Sequence, residues 1–370
     1  MAVRIAIVAG ARPNFMKIAP IARALAGDAA FSTTLVHTGQ HYDYAMSKVF
    51  FEELALPEPD VHLGVGSGSH AEQTARVMTE LDRSLDVRPA DVVLVVGDVN
   101  STMAAALVAA KRCIPVVHVE AGLRSRDRTM PEEVNRVVTD AVADLLLTSC
   151  RDADANLAAE GIDAARVVFV GNVMIDSLAA SLPAARTRGN LARIGLAPRS
   201  FALVTLHRPA NVDAEAPLVR VMAALDEVAR SCPVVFPVHP RTAARLAALG
   251  RQTTPWADAR AGGGLLLVPP LGYLDFLELE AAAGAVVTDS GGIQEETTWL
   301  GVPCLTLRPN TERPVTVTEG TNEVIGDRVE AVPSLVARAL RGEWKRGRIP
   351  ELWDGATAGR IAAALRERYA

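Results

Sequence analysis

Short aliphatic segments that end in polar loops constrain the fold of this chain more than any other feature of its sequence. Residues 91–96 are aliphatic after the leading aspartate, as a strand buried on both faces requires, and Gly97 and Asp98 follow directly. Similar segments alternate with helical patterns in both halves of the chain. This alternation predicts an α/β fold with two Rossmann-like, parallel-sheet domains. We expect the strand ends to face one another across a shared cleft, the usual place for a ligand.

The length of the chain sets the number of domains. With 370 residues, it is too long for one typical hydrophobic core. The sequence predicts an N-terminal domain over residues 1–173 and a C-terminal domain over residues 174–354. A final helix, residues 355–370, is expected to pack back on the N-terminal domain.

Composition excludes several classes of protein. A hydrophobic content of 49%, 22% charged residues and a net charge of −5 without a basic run indicate a globular protein that does not bind nucleic acid. The chain enters a strand at once and has no apolar stretch long enough for a membrane span, so we expect a cytoplasmic protein without membrane contact. Four well-separated cysteines predict reduced thiols and no metal site.

The turn after residues 285–289 is the first candidate site. Ser290, Gly291 and Gly292 lie where a strand gives way to a helix, and the two glycines let backbone N–H groups approach a ligand. The unpaired N–H groups and dipole of a helix start favour a diphosphate there. Glu295 and Glu296 would repel phosphate and are better suited to ribose hydroxyls. The alternative is an ordinary glycine-rich turn between a strand and a helix.

Cationic residues follow the first predicted strand. Arg12 can form paired bonds to phosphate, and Lys17 adds a mobile positive charge. For Lys17 the alternative is a solvated helix lysine. His41, after the second strand, is either a site residue or merely a loop residue.

Carboxylates follow two later strands and open a helix. Asp98 comes at one strand end, and Glu120 directly follows another apolar strand, where a carboxylate is costly unless it is paired or used. Pro131 can open the next helix. Glu132 and Arg136 lie one turn apart on that helix, so an ordinary ion pair is the alternative to a site role.

Taken in order, these motifs resemble the non-hydrolysing UDP-N-acetylglucosamine 2-epimerase family. The resemblance extends from residue 3 to beyond residue 320. It implies two Rossmann-like domains of the glycosyltransferase-B type and a homodimer. The matching motifs are Gly10-Ala11-Arg12-Pro13 with Lys17, Thr38-Gly39-Gln40-His41, Gly97-Asp98, His118-Val119-Glu120-Ala121-Gly122-Leu123-Arg124, Pro131-Glu132-Glu133 with Asn135-Arg136, His207-Arg208, Asp289-Ser290-Gly291-Gly292-Ile293-Gln294-Glu295-Glu296 and Thr311-Glu312-Arg313-Pro314.

The reaction that the resemblance implies converts UDP-N-acetylglucosamine into UDP-N-acetylmannosamine. In this family UDP is eliminated to give 2-acetamidoglucal, and it adds back after a proton reaches the other face of carbon 2. The route needs proton-transferring groups on two sides of carbon 2 and stabilisation of the departing diphosphate. It needs no nicotinamide, and the sequence shows no separate fingerprint for a cofactor.

The resemblance also implies roles for individual residues. Its acidic catalytic positions match Asp98, Glu120 and Glu132, whose convergence is expected to raise at least one carboxyl pKa. The family's catalytic histidine matches His207. The substrate-binding positions match Arg12, Lys17 and Arg136 around sugar and phosphate, Ser290, Gly291 and Gly292 at the diphosphate, Glu296 at the ribose, Phe276 near the uracil, Arg313 on the nucleotide side and His239 in the cleft.

Two further assignments also have a structural alternative, and the function has several. Phe276 could be a core-facing helix residue, and His239 a strand-end structural histidine. The chain could be a hydrolysing epimerase that releases UDP and N-acetylmannosamine, or it could act on a modified sugar such as a diacetamido uronate. A glycosyltransferase or a catalytically silent sensor is disfavoured by the set Asp98, Glu120 and Glu132.

Overall fold

The computed structural model describes residues 1–10, 12–39, 53–54 and 56–370, with Arg12 and Pro13 described by their backbone only. His41 therefore lies outside the described residues. Contacts divide the chain into two compact units, one of residues 1–180 and 351–370 and the other of residues 181–350. The sequence placed its domain boundaries at residues 173/174 and 354/355.

The first unit contains a parallel sheet of seven strands in the order β3-β2-β1-β4-β5-β6-β7. All five residues of Val92–Val96 are buried, because helices cover both faces of a parallel sheet. The seven strands are β1 (Val3–Ala9), β2 (Phe31–His37), β3 (Val61–His62), β4 (Val92–Val96), β5 (Val116–Ala121), β6 (Leu145–Thr148) and β7 (Val167–Phe169).

The helices that follow these strands begin where the sequence supplies a start signal. Ser69 and Glu72 form a reciprocal capping box at one helix start, and Pro131 occupies the first turn of another. The helices are α1 (Arg12–Ala26), α2 (His70–Val87), α3 (Asn100–Lys111), α4 (Pro131–Val142), α5 (Arg151–Ala159) and α6 (Val173–Ala185), with a 3-10 turn at Ala164–Arg166.

The second unit contains a parallel sheet of six strands in the order β10-β9-β8-β11-β12-β13. Ala202 and Val204 contribute to one apolar cluster, whereas Phe201 and Leu203 contribute to another. Successive residues of a strand point to opposite faces, so this sheet is also buried on both sides. Its strands are β8 (Ala202–Thr205), β9 (Val234–Pro237), β10 (Leu265–Val268), β11 (Ala285–Thr288), β12 (Cys304–Thr306) and β13 (Asn322–Val324).

The helices of the second unit include the one predicted after Ser290. It ends at Gly301, which adopts a left-handed backbone with φ 66°. They are α7 (Asn190–Ile194), α8 (Pro209–Val212), α9 (Glu215–Ala229), α10 (Pro240–Ala248), α11 (Tyr273–Ala282), α12 (Gly291–Leu300), α13 (Val315–Thr318) and α14 (Val332–Leu340), with a 3-10 turn at Val329–Ala331. The predicted α/β class with parallel sheets is confirmed.

The C-terminal segment returns to the first unit. Its helix α15 (Thr357–Tyr369) packs against α1, and Arg366 pairs with Asp28. Asp176 accepts hydrogen bonds from the backbone N–H groups of Thr357 and Ala358 at 3.1 and 2.7 Å. In the part of the chain that the structure describes, no helix has the length and apolar character to cross a membrane.

Candidate active site

Gly97 lies at the centre of the first group of candidate residues. The strands that precede Gly10, Gly97 and Glu120 are neighbours in the sheet, so their carboxyl ends share one edge. Gly97 adopts φ 67°, and a Cβ atom added there would lie 3.0 Å from Lys17 Nζ and 3.4 Å from Glu120 Oε2. A side chain would therefore displace these two groups, and glycine leaves the space that they occupy.

Lys17 and Glu120 form a buried ion pair beside Gly97. Only 7% of the Lys17 side chain and 5% of the Glu120 side chain are exposed. The alternative of a solvated helix lysine is therefore wrong. The ammonium group compensates the charge that the sequence identified as costly at the end of an apolar strand.

Glu120 occupies an irregularity in β5. Val119 pairs with Leu147 and Ala121 with Thr148, so the register shifts at the intervening residue. Glu120 adopts φ 71°, a left-handed conformation that non-glycine residues rarely adopt. Bulges next to active sites re-aim a side chain, and local strain of this kind costs about 1–3 kcal/mol. The sequence placed Glu120 after the strand, whereas it lies within β5.

Arg136 holds the second catalytic candidate. It donates from Nη1 to Asp98 Oδ2 at 2.5 Å and from Nη2 to Glu133 Oε2 at 2.7 Å. Its side chain is 2% exposed, whereas that of Asp98 is 27% exposed. Glu132 is half-buried and is not a partner in these pairs. The alternative of an ordinary ion pair between Glu132 and Arg136 is therefore wrong.

Glu133 anchors Arg136 to the loop that precedes α4. It accepts hydrogen bonds from the backbone N–H groups of Ser125 and Arg126 at 2.9 and 2.8 Å. Burial alone would raise the pKa of Glu133, but these bonds and the charge of Arg136 outweigh burial and lower it. Because cations compensate Asp98 and Glu120, repulsion among carboxylates does not dominate this group.

His118 and Asp140 were not predicted as site residues, yet their hydrogen bonds reach the backbone of this group. His118 Nε2 donates to Gly97 O at 2.9 Å, and Nδ1 meets Asp140 Oδ1 at 2.6 Å. Both partners are acceptors, so both ring nitrogens donate. Asp140 also pairs with Arg124 at 2.7 Å and accepts from Gly122 N at 3.1 Å. The available signal was a histidine within a strand that must be fully buried.

The second group of candidate residues surrounds the start of α12. Ser290, Gly291 and Gly292 are half-buried, and the Ser290 side chain does not cap the helix. The N–H groups of the first helical turn lack intrahelical partners, and the helix dipole adds positive potential at this point. The turn is therefore suited to a phosphate.

Arg313 lies against this helix start. A Cβ atom on Gly291 would be 2.5 Å from Arg313 Nη1 and 2.9 Å from Glu312 Oε1. Arg313 Nε is 2.8 Å from Glu295 Oε1, and Nη1 bonds to Glu312. Glu312 also accepts from Arg308 Nη2 at 2.6 Å. The four buried charges alternate in sign, so the acidic partners hold a guanidinium next to the positive end of a helix.

His207 belongs to the same group through Asp289. Asp289 is fully buried, and its carboxylate accepts from the backbone N–H groups of His207 and Arg208 and from Asn211 Nδ2. Burial alone would raise the pKa of Asp289, but its hydrogen bonds, with that to His207 the largest, lower it. His207 Nδ1 lies 3.0 Å from Asp289 Oδ1, and 53% of the His207 side chain is exposed. The sequence analysis did not assign a role to Asp289, although a carboxylate after an apolar strand was the available signal.

Comparisons with known proteins identify the family of this chain. The family model described as UDP-N-acetylglucosamine 2-epimerase matches residues 23–366. The chain belongs to this family. The UDP-N-acetylglucosamine 2-epimerase of Methanocaldococcus jannaschii is 40% identical over 92% of this chain and 94% of its own. The UDP-2,3-diacetamido-2,3-dideoxy-D-glucuronate 2-epimerase of Pseudomonas aeruginosa is 41% identical over 87% of this chain and 88% of its own.

A solved structure of the family matches the fold. The crystal structure of the Methanocaldococcus jannaschii UDP-GlcNAc 2-epimerase, in complex with UDP-GlcNAc and UDP, superposes with a TM-score of 0.87. It is 39% identical and covers 99% of this chain and 100% of the other. The family resemblance inferred from the sequence motifs is therefore confirmed.

The remaining residues assigned from the family do not all join the two groups. Phe276 is half-buried and packs against an apolar cluster of the second unit. His239 is exposed and caps α10, where its Nδ1 accepts from Arg241 N at 3.3 Å. The Arg12 side chain lies outside the described residues. Among the residues that are described, no cluster of His, Cys, Asp and Glu has the form of a metal site.

Proposed function

We propose that the chain interconverts UDP-N-acetylglucosamine and UDP-N-acetylmannosamine. Family membership supports this reaction, and so does a relative whose structure contains UDP-GlcNAc and UDP. The observation that carries the proposal is the pair of carboxylate–cation contacts beside Gly97, since Asp98 and Glu120 are held by Arg136 and Lys17. A glycosyltransferase has no use for proton exchange at carbon 2.

The reaction must solve one chemical problem. The hydrogen on carbon 2 of the sugar is not acidic, because no carbonyl group is placed to activate it. In the proposed route this C–H bond and the bond between carbon 1 and the diphosphate oxygen break, and a double bond forms between carbons 1 and 2. A proton then reaches the opposite face of carbon 2 as UDP adds back at carbon 1. The steps involve no net oxidation.

The first unit supplies the proton-transferring groups in this proposal. Asp98, Glu120 and Glu132 exchange protons at the two faces of carbon 2, while Lys17 and Arg136 orient two of the carboxylates and contact sugar and phosphate oxygens. Each cation is buried and bonded to its carboxylate, so its position is fixed before substrate arrives. We assign to Arg12 the binding of a phosphate group of the nucleotide sugar as well.

The second unit supplies the nucleotide contacts. The helix start at Ser290, Gly291 and Gly292 receives the diphosphate, and Arg313 adds a cation beside it. The Glu296 carboxylate accepts hydrogen bonds from the ribose hydroxyls. Phe276 lies near the uracil, and His239 contacts the ligand. We assign to His207 the stabilisation of charge on the departing diphosphate, because Asp289 holds Nδ1 and leaves Nε2 for the ligand.

Incubation with UDP-N-acetylglucosamine in heavy water tests the reaction. We expect NMR spectra to show deuterium at carbon 2 of a UDP-linked product. Free N-acetylmannosamine with UDP would instead indicate the hydrolysing reaction. Absence of exchange and of any product would sink the proposal.

Substitution of the carboxylates tests their roles. We expect Asp98→Asn and Glu120→Gln each to lower kcat by at least about 10²-fold, the usual contribution of proton transfer, while UDP binding persists in calorimetry. Glu80→Gln changes a glutamate of the same unit whose side chain is 39% exposed, and it is the matched control. Unchanged turnover in either site variant would remove that residue from the mechanism.

A second candidate is 2-epimerisation of a UDP-linked 2,3-diacetamido uronate. The Pseudomonas aeruginosa relative, which carries the name of that activity, favours it. Both substrates would use the same elimination and the same carboxylates. Comparison of kcat/KM for the two purified nucleotide sugars decides between them.

A homodimer and a cytoplasmic location complete the proposal. The family resemblance supports the homodimer, and light scattering of the purified protein tests it. Three of the free thiols, Cys150, Cys232 and Cys304, are buried, which suits a reducing compartment. Cell fractionation tests the location.

A further inference from the structure

Glu280 is a buried carboxyl group that the proposed reaction does not use. It lies on α11 and is fully buried. No hydrogen-bond donor among the described residues reaches either of its side-chain oxygens. An ionised carboxylate without donors in such a place would be very costly, so Glu280 is expected to remain a neutral acid.

The group that Glu280 does meet is the carboxyl of Glu296 on α12. Tyr273 and Glu280 lie two turns apart on the same face of α11, and Tyr273 donates from its hydroxyl to Glu296 Oε1 at 3.3 Å. The Glu280 carboxyl therefore adjoins that of Glu296, and each shifts the pKa of the other. Two buried carboxyl groups this close together cannot both be ionised, so one of them is protonated. Glu296 already has a donor in Tyr273, so the proton belongs to Glu280.

The surroundings favour the same distribution of charge. Burial, followed by the negative charge of Glu296, raises the pKa of Glu280 well above its usual value. Burial raises the pKa of Glu296 to about 7, and the charge of Glu295 contributes in the same direction. The other titratable groups that face the pair are Tyr273 and the buried thiol of Cys304.

We propose that Glu280 is a positioning residue that donates its proton in a hydrogen bond to Glu296 and fixes the Glu296 carboxylate for the ribose hydroxyls of the nucleotide. The ribose contact rests on the proposed function, whereas the contact between the two carboxyl groups does not. With Tyr273 and Glu280 as donors, rotation of the Glu296 carboxylate breaks at least one hydrogen bond. Its remaining acceptor positions are therefore preorganised for two hydroxyl groups.

Hydroxyl discrimination tests the proposal with UDP and 2′-deoxy-UDP as probes. Calorimetry under mildly alkaline conditions keeps the terminal phosphate of both probes ionised. We expect the wild-type protein to bind UDP about tenfold more tightly, the usual strength of a hydrogen bond to a charged group. In Glu280→Leu the ratio should fall toward one. In Glu280→Gln the amide N–H replaces the acid proton and should preserve the ratio.

Glu278→Gln is the matched control. Glu278 lies on the same helix and is buried, but it accepts from the backbone N–H of Asn190 at 3.0 Å rather than meeting Glu296. The Glu278→Gln variant should bind UDP and 2′-deoxy-UDP with the affinities of the wild type. A wild-type ratio in Glu280→Leu would overturn the positioning role. Failure of the wild type to bind UDP would instead contradict the proposed function.

Infrared spectroscopy tests the proton on Glu280 without requiring Glu280→Leu to fold. We expect the wild-type protein to show a protonated carboxyl C=O band that persists under mildly alkaline conditions, disappears in Glu280→Gln and shifts when UDP binds. Absence of that band, or a band that UDP leaves unchanged, would overturn the proposal.

Discussion

His207 and Asp289 form a histidine–carboxylate pair in which only the histidine reaches solvent. Nδ1 of His207 lies 3.0 Å from Oδ1 of Asp289, and the side chains are 53% and 0% exposed. The backbone N–H of His207 also donates to the same carboxylate at 3.1 Å. The carboxylate therefore fixes the position of the imidazole and accepts the hydrogen bond from its Nδ1–H.

Asp289→Asn should impair turnover through His207. We expect kcat to fall by about 10²-fold or more, because a neutral amide no longer orients the imidazole or stabilises the positive charge with which His207 faces the diphosphate. In steady-state kinetics the double variant with His207→Ala should be no slower than His207→Ala alone. Additive losses would show that Asp289 acts independently of His207.

Lys17→Met should destabilise the first unit. It leaves the buried carboxylate of Glu120 without its cation, which typically costs about 3–5 kcal/mol in the free energy of unfolding. The double variant Lys17→Met/Glu120→Gln should recover most of that loss in urea denaturation, yet remain inactive. Arg4→Met, which breaks the exposed pair with Asp91, is the control and should leave the urea midpoint nearly unchanged. Equal losses from Lys17→Met and Arg4→Met would contradict a buried pair.

Gly291→Ala should weaken nucleotide binding. The added Cβ would lie 2.5 Å from Arg313 Nη1, and bonds to Glu295 and Glu312 restrain that guanidinium from moving away. We expect at least about a tenfold loss in UDP affinity by calorimetry, since one charged contact at the diphosphate is displaced. Gly359→Ala is the control, because a Cβ there meets no atom within 4 Å. If Gly291→Ala bound UDP as tightly as the wild type does, Arg313 would not contribute to diphosphate binding.

Asp140 should make the free energy of unfolding of the first unit decrease at acidic pH. Burial alone would raise the pKa of Asp140, but the charges and hydrogen bonds of His118 and Arg124 outweigh burial and lower it below 3.8. The unfolded chain then binds more protons than the folded one, so stability is lost as the pH falls through the folded-state pKa. Asp140→Asn should cost about 3–5 kcal/mol near neutral pH. Urea denaturation should show the gap to wild type narrowing in acid, and a constant gap would contradict this.

Local patterns were enough to predict much of the fold. The strand indicated over residues 91–96 is Val92–Val96 in the structure, and the helix that Pro131 was expected to open is Pro131–Val142. The turn before α12 also follows from its sequence. Hydrophobic periodicity, capping residues and glycines act over a few neighbours, so the sequence displays them directly.

The pairing of charges could not be predicted in the same way. Glu132 and Arg136 are neighbours on one helix, yet Arg136 bonds instead to Glu133 and to Asp98, which lies 38 residues away. The buried residue His118 belongs to one of the family motifs, but no local sequence pattern indicated that Asp140 would contact its ring.

By itself, the sequence determined the two parallel sheets, the turn at Ser290 and the residue types at each strand end. Only the tertiary structure decided that Lys17 meets Glu120 across 103 residues, that Asp289 holds His207, and that Tyr273 donates to Glu296. Strand order and helix packing bring such partners together. Burial then makes each contact strong, because a charge removed from water must find a partner or a proton.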